Sequence, residues 1–429
     1  MRRLFISFLL ILILSPALFA SKMPWGRGLS KAEHLQFILA TFGPGDDIPS
    51  YWGHTALIIE DTVLNVSAIY NFGLYSFDED MLVHFVMGRL IFSVGRASVA
   101  SYFNYYRSEN RDIRLTTLDI PLKNRLKLAK KLEWYVEPAH CNYLYHHYFD
   151  NCSTRLRDLI DMALDGQFHK VMNVPGRMTL RQHTRRYVAR NPVLEMLLMF
   201  LMNDTIDKPT TKWEEMFLPD ELERDVHAMT YTDSLGLCHP LSVKYRIWYD
   251  AHRPPVPQTV PRHEIGAFLI SLILGLVILL TVWLQIRKPF RWFQLLFSLY
   301  NFILGLVFGI PGLILFFTMF FTDHEVTFHN ENILLANPLT LLIALFGIIL
   351  AWQKPWAFKA LRWLWYLQIF GAVLLISLKL LLPSIFDQDN LLVFAFILPV
   401  TLAMGLSFWY LRPSYFADFR NGDMNEAGG

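Results

Sequence analysis

From Ile265 onward the chain is written for a lipid solvent. Five apolar segments follow one another: Ile265 to Ile286, Trp292 to Phe321, Leu339 to Trp352, Leu361 to Leu382 and Leu391 to Leu411. Each reads as a membrane-crossing helix, the third being short for the roughly 20 residues a span needs. The connectors alternate in charge. RKPFR, QKPWAFKALR and RPSYFADFR are basic, whereas TDHEVTFHNENILLANP and PSIFDQDN are acidic. Basic loops stay in the cytoplasm, so the first, third and last connectors face inward and everything before Ile265 lies outside. A mean hydropathy of +0.30, with 53% hydrophobic residues, agrees that part of the chain lives in lipid.

The opening MRRLFISFLLILILSPALFA predicts the same side independently, with a basic start, an apolar run and a small residue at Ala20. Leu18 is large for the minus-three position of a cleavage site, so cleavage and retention as an anchor both stay open. Either way the chain that follows is exported. The expected organisation is a signal peptide or anchor over 1–20 and an exported domain over 21–263, ending in the Pro-rich linker HRPPVPQTVPRH (252–263). A five-helix membrane module over 264–412 and a cytoplasmic tail over 413–429 complete it. With 39 Lys and Arg against 37 Asp and Glu, nothing argues for nucleic acid as a partner.

Three cysteines in an oxidising compartment cannot all be paired. A Cys141–Cys238 bridge leaves Cys152 free, and a bridge from Cys152 to either of the others is the alternative. HCNYLYHHYFDNC also places His140, Cys141, His146, His147 and Cys152 within thirteen residues, but at no standard zinc spacing. Local geometry opens a third reading. Leu122, Leu126, Ala129, Leu132 and Val136 recur at helical spacing up to Pro138. A second periodic set, Leu156, Leu159, Ile160 and Ala163, begins just beyond Cys152. Asp150, Asn151 and Ser153 are good capping types, which puts the cysteine at a helix N-terminus. There the free N–H groups and the positive end of the dipole stabilise a thiolate. Arg155 and Arg157 carry the wrong charge for a first turn, and are offset either by Asp158 and Asp161 or by an anionic substrate.

A thiol nucleophile needs a base and a group that orients the base. In SYWGHTALIIEDTVLNV, His54 precedes an apolar run, Ala56 to Ile59, closed by Glu60 and Asp61. A second β-rich run, Val63 to Ile69, follows. That is a hairpin with His54 at the start of its first strand. A lone histidine beside a strand is more often structural, and its pairing with a helix-capping cysteine is what singles it out.

At these residues the chain resembles a family. GPGDDIPSYWGHTALIIED, YNFGLYSF, FVMGRLIFSVG and YFDNCSTRLRDLID look like the signature blocks of the exported domain of Lnb-type bacterial lipoprotein N-acyltransferases, over roughly Leu35 to Leu241. GIPGLILFFTMFFTDHEVTFHNENILLANP resembles the matching segment of members with a multi-helix tail. Histidine on an early strand, then cysteine at a helix start, is also similar to the permuted papain-like fold of the lecithin:retinol acyltransferase group. The resemblance implies an α+β permuted papain-like exported domain joined to an all-α five-helix transmembrane bundle. It implies Cys152 as nucleophile and His54 as base. Asn71 is the third member, with Glu60 and Asp61 as competitors, because the second histidine of the retinol acyltransferase group is missing here.

Asn151, Arg155 and Tyr51 are expected at the substrate. Asp323 and His324, outside and facing the thiol domain, either cap a helix or join them. Neither metal nor cofactor is called for. The implied reaction moves an acyl chain from a membrane phospholipid, through a Cys152 thioester, to the α-amino group of a diacylglyceryl-cysteine lipoprotein. The helix-start N–H groups would hold the oxyanion. The implied location is the bacterial inner membrane, multi-pass, with the catalytic domain on the periplasmic face. The rivals are a thiol phospholipase or cell-wall endopeptidase, and a non-enzymatic membrane sensor.

Overall fold

The structure is a computed structural model that describes residues 22–74 and 79–412. The expected leader over 1–20, the tail over 413–429 and the end of the YNFGLYSF block lie outside these residues. Two compact units emerge. One comprises the chain up to Leu180 together with Pro209–Val256, and the other comprises Arg181–Lys208 together with the chain from Pro257.

In the first unit, β1 (Leu35–Phe42), β2 (His54–Asp61), β3 (Val66–Leu74), β4 (Ile91–Ala97), β5 (Ile113–Leu118), β6 (Asn142–Leu144) and a late strand, Ser242–Tyr249, build one seven-stranded sheet. Every pairing is antiparallel, in the order β6-β4-β3-β2-β1-β5 and then the late strand. The expected hairpin is β2–β3, and the structure adds β1 on the other side of β2, with Phe42 opposite His54. The helices of this part are α1 (Glu79–Val86), α2 (Val99–Ser108), α3 (Leu122–Tyr135), α4 (Cys152–Ala163) and α5 (Gln167–Met172).

Successive strand residues point to opposite faces, so the sheet separates two cores. Leu57 and Ile59 of β2 join Leu128 and Leu132 of α3 and Leu156, Leu159 and Ile160 of α4. Ala56 and Ile58 face the other way, against Phe103 and Tyr106 of α2. Thus α4 presents the apolar stripe expected of it, and its first residue is Cys152. A buried polar network ties down the start of the described chain. Trp25 Nε1 donates to the Tyr70 hydroxyl at 2.8 Å, Tyr70 donates to Glu133, and Arg96 clamps both Glu133 oxygens at 2.7 and 2.9 Å. All three cysteines are free, so the Cys141–Cys238 bridge is not formed. Cys141 leads into β6 at one edge of the sheet, while Cys238 belongs to a separate two-stranded hairpin.

The second unit begins with the excursion 181–208, assigned above to the exported domain. It holds most of α6 (Leu180–Val188) and all of α7 (Pro192–Leu201). The sequence of α7, PVLEMLLMFL, is apolar nearly all round, and Met196, Phe200 and Leu201 join the core of the membrane helices. Arg181, buried, pairs with Asp207 and donates to the carbonyls of Met202 and Asn203 at 3.0 and 2.8 Å, closing the excursion on itself. Two helices then return to the first unit, α8 (Lys212–Glu215) and α9 (Pro219–Ala228).

The remaining helices are α10 (His263–Arg287), α11 (Arg291–Phe321), α12 (Thr340–Ala351), α13 (Pro355–Leu381) and α14 (Leu391–Tyr410). Among the described residues four of them, all but α12, are long and apolar enough to cross a membrane. The expected count of five is therefore not reached by length. The 12 residues of α12 span only ~18 Å against a hydrocarbon core of roughly 30 Å. The chain before it forms only short 3-10 turns, the second at Glu331–Leu334 largely buried and held by side-chain amides: Asn332 Nδ2 donates to Phe200 O at 2.9 Å and Gln388 Nε2 to Asn330 Oδ1 at 3.1 Å. Non-helical backbone is tolerated at such depth only when protein satisfies it.

Candidate active site

Gly53 sets the position of His54. Its φ is +77°, and a Cβ there would stand 2.8 Å from the Phe42 carbonyl oxygen, so only glycine allows this return into β2. On the neighbouring strand Asn71 lies opposite Ala56, one diagonal step from His54 and on the same face. The His54 Nε2 to Asn71 Oδ1 distance is 2.5 Å. An amide oxygen only accepts, so Nε2 carries the proton and Nδ1 keeps its lone pair. Two residues past Asn71, Gly73 takes φ +106° where the β3–β4 register shifts. A bulge beside a functional side chain is a common way to aim it. Of the other candidates for the third role, Asp61 is at the far end of β2, where its Oδ1 accepts from Val63 and Leu64 N–H at 3.1 and 2.9 Å and shapes the turn.

Cys152 arrives from the helix side. Asn151 caps α4, its Oδ1 accepting from Ser153 and Thr154 N–H at 2.8 and 3.0 Å, while Thr154 Oγ1 accepts from Asn151 N–H at 2.8 Å. The Asn151 amide also donates to the carbonyls of His147 and Phe217 at 2.7 and 2.9 Å. The side-chain hydrogen-bonding capacity of Asn151, a residue expected at the substrate, is thereby taken up by the cap and these two carbonyls.

His54 and Thr55 set the environment of the Cys152 sulfur. Burial pushes the Cys152 thiol up. The His54 imidazole, by charge and by hydrogen bond, and the Thr55 N–H and hydroxyl outweigh that and bring it down to about 7. The Thr55 hydroxyl is also 3.3 Å from that of Ser153, linking strand start to helix start. Four tyrosines lie close enough to feel the sulfur's charge: Tyr102 and Tyr106 of α2, Tyr143 of β6 and Tyr145 just beyond it. Burial above all, with the thiolate adding to it, keeps their phenols protonated.

Arg155 is not offset by Asp158 as the helical spacing suggests. It forks onto Asp150, with Nη2 2.6 Å from Oδ2, and lies 4.3 Å above the Tyr143 ring. Asp158 serves Arg157 at 2.9 Å, and Asp161 accepts from His169 N–H at 2.8 Å. Next to Arg155 opens a pocket of about 280 Å³, lined by Lys131, Tyr135, Phe149 and Asp158 among others. Tyr51 rests edge-on against Trp52, ring centroids 6.2 Å apart.

Asp323 and His324 belong to the second unit, where α11 ends. His324 Nδ1 is 2.8 Å from Thr322 Oγ1, and the carbonyl of Glu325 accepts from Asn203 Nδ2 at 3.0 Å. The cluster of potential metal donors seen in the sequence is dispersed. His140 stacks on Trp134 at 4.0 Å, and His146 Nδ1 accepts from Tyr148 and Phe149 N–H, both at 3.2 Å. Among the described residues no three His, Cys, Asp or Glu side chains are grouped to hold a metal ion.

Sequence gave no pointer to Thr55, whose contribution is partly a backbone N–H, nor to the ring of tyrosines, which are spread over two elements. Their residue types carry no positional signal.

A sheet-rich α+β unit carrying Cys152, His54 and Asn71, on a chain with four membrane-length helices among its described residues, has the make-up of a membrane-anchored protein with a separately folded domain. Two family models match the chain: the Lnb N-terminal periplasmic domain over residues 21–190 and the Lnb transmembrane domain over residues 265–413. The chain belongs to the Lnb family. It is accordingly an inner-membrane protein whose N-terminal domain is extracytoplasmic. Comparison with curated proteins and with solved structures returns no match.

Proposed function

We propose that this protein is a thiol-dependent acyltransferase that acylates the α-amino group of diacylglyceryl-cysteine lipoproteins with a chain taken from a membrane phospholipid. The observation that carries this reading is the alignment of Cys152, His54 and Asn71. The thiol's pKa is brought to about 7 chiefly by the neighbouring His54 imidazole, whose Nε2 is held at 2.5 Å by the Asn71 amide oxygen. Such a thiol is substantially ionised at neutral pH and strongly nucleophilic.

In the first half-reaction His54 takes the thiol proton and the sulfur attacks the ester carbonyl carbon. The tetrahedral intermediate collapses with loss of the lysophospholipid alkoxide, which takes the proton back from His54. In the second half the lipoprotein amine attacks the thioester, His54 accepts the amine proton, and the thiolate leaves. Asn71 keeps the imidazole in the required tautomer throughout. Donor and acceptor both sit in the bilayer, and membrane spans in the same chain hold the thiol domain at that surface, where effective concentrations are high.

The test is full-length protein mixed with phospholipid vesicles and read by mass spectrometry of the Cys152 peptide. An acyl adduct that persists until a diacylglyceryl-cysteine peptide is added supports transfer. Adduct lost to water without an amine supports a phospholipase. No adduct, with function retained in Cys152→Ser, supports a binding protein.

A further inference from the structure

The start of α4 does not supply a two-donor oxyanion cradle by itself. The Asn151 side chain consumes the Ser153 and Thr154 N–H groups, so of the helix-start N–H groups expected to hold the oxyanion, the cap leaves that of Cys152. A second donor then has to be a side chain. Three polar side-chain atoms of this unit are buried near the helix start or the sulfur without a hydrogen-bond partner among the described residues: Trp52 Nε1, His147 Nε2 and Tyr143 Oη. A buried donor left unsatisfied is costly unless something occupies it. Two of the three are side by side. The His147 and Trp52 rings meet edge to face with centroids 4.5 Å apart.

Both flank the reacting groups along the chain. Trp52 stands two residues before His54. His147 stands five before Cys152, and its carbonyl is fastened to the Asn151 amide at 2.7 Å. The Tyr145 hydroxyl is 3.5 Å from His147 Nδ1, and donation there leaves the ring proton on Nε2. Burial, and then the charge of neighbouring His146, lowers His147 to about 4, so its ring stays neutral at physiological pH. It donates a hydrogen bond without competing with His54 for the thiol proton. The indole N–H of Trp52 is a donor and nothing else.

We propose that His147 Nε2–H and Trp52 Nε1–H form a neutral donor pair for the carbonyl oxygen of the acyl ester, completing with the Cys152 N–H the pocket for the tetrahedral oxyanion. The assignment rests on the acyl-transfer reading above. As the sulfur attacks, the carbonyl π pair moves onto the oxygen held by these donors. On collapse the pair returns and the bond to the departing alkoxide breaks.

The experiment measures single-turnover acylation of Cys152 by a soluble p-nitrophenyl ester, using full-length protein in detergent, beside alkylation of the same thiol by iodoacetamide. Alkylation displaces iodide at a methylene carbon and forms no oxyanion. His147→Ala is expected to slow acylation on the order of 10²-fold, with His147→Gln recovering part of the loss and Trp52→Phe slowing it about tenfold. Alkylation keeps its rate and pH midpoint in all three. The assignment is overturned if His147→Ala and Trp52→Phe acylate at the wild-type rate, if acylation and alkylation fall together, or if Tyr143→Phe alone shows the loss. Wild-type protein that alkylates but never accepts an acyl group instead overturns the acyl-transfer reading, and the carbonyl role of this pocket with it.

Discussion

His54 and Cys152 are nearly a hundred positions apart in sequence, yet the sulfur's acidity depends on their meeting. A thiol lowered to about 7 is mostly thiolate above that pH and mostly thiol below it, so iodoacetamide alkylation of Cys152 should rise with pH through a midpoint near 7. Removing the imidazole in His54→Ala withdraws the larger lowering influence. The midpoint should then move up to or beyond the ordinary thiol value of about 8.5, and pH-dependent alkylation read by mass spectrometry checks it. Asn71→Ala frees the imidazole to rotate and to change tautomer. Acylation of Cys152 should fall by about 10²-fold, while the fold, followed by circular dichroism, is retained. At this scale the sequence was informative where chemistry is local. Asn151 and Cys152 were legible because capping residues and an apolar periodicity mark a helix start. The Arg155–Asp150 pair was not, since helical spacing favours partners further along the helix. Nor was the enclosure of His147 Nε2, whose ring packs against Trp52 and Phe217, both distant in sequence.

Elements succeed or fail here by close backbone approach. Gly53→Ala places a Cβ against the Phe42 carbonyl in a backbone region unfavourable to side chains. It should cost about 1–3 kcal/mol and shift His54, seen as a lowered melting temperature and slower Cys152 alkylation. In the second unit, Gly305, Gly309 and Gly312 of α11 lie against the backbone that leads into and forms α12. A Cβ at Gly305 would be 2.2 Å from Ala344 N, and one at Gly309 2.8 Å from Leu341 N. Gly309→Val should therefore unseat α12 at a cost of about 1–3 kcal/mol, measured as loss of thermal stability in detergent. The β2–β3 hairpin was legible from its two β-rich runs and the acidic pair, Glu60 and Asp61, that closes the first of them. β1 was not, because a short, almost wholly buried apolar run has no period that separates strand from helix. The shortness of α12, by contrast, was legible, since its apolar segment runs only from Leu339 to Trp352. The Asn337–Thr340 turn then fixes where the helix begins.

At the scale of the whole molecule, composition and connector charge located the membrane part, but one boundary drawn from composition was too simple. Residues 181–208 leave the first unit and come back to it. The points of departure and return are close together, since Thr210 Oγ1 donates to Met178 O at 2.6 Å and Gly176 N–H to Thr210 O at 2.8 Å. The thiol domain expressed as residues 22–256 should consequently aggregate, because α7 is left bare. The same piece with 181–208 replaced by a short Gly/Ser bridge should be soluble and monomeric by size-exclusion chromatography. Equal aggregation of the two would show that the excursion belongs to the thiol domain's own core. No local pattern announces such a detour. An apolar decamer fits a soluble core as readily as a lipid-facing bundle, and only its neighbours decide.

The detour also changes what a protease can accomplish. Were the Pro-rich stretch after His252 the sole tether, one nick there would set the thiol domain adrift from the bilayer. Because the polypeptide passes between the units three times, a nicked molecule should still sediment with membranes as two fragments joined through the 181–208 excursion, and its release would require two further incisions, one on each side of that excursion.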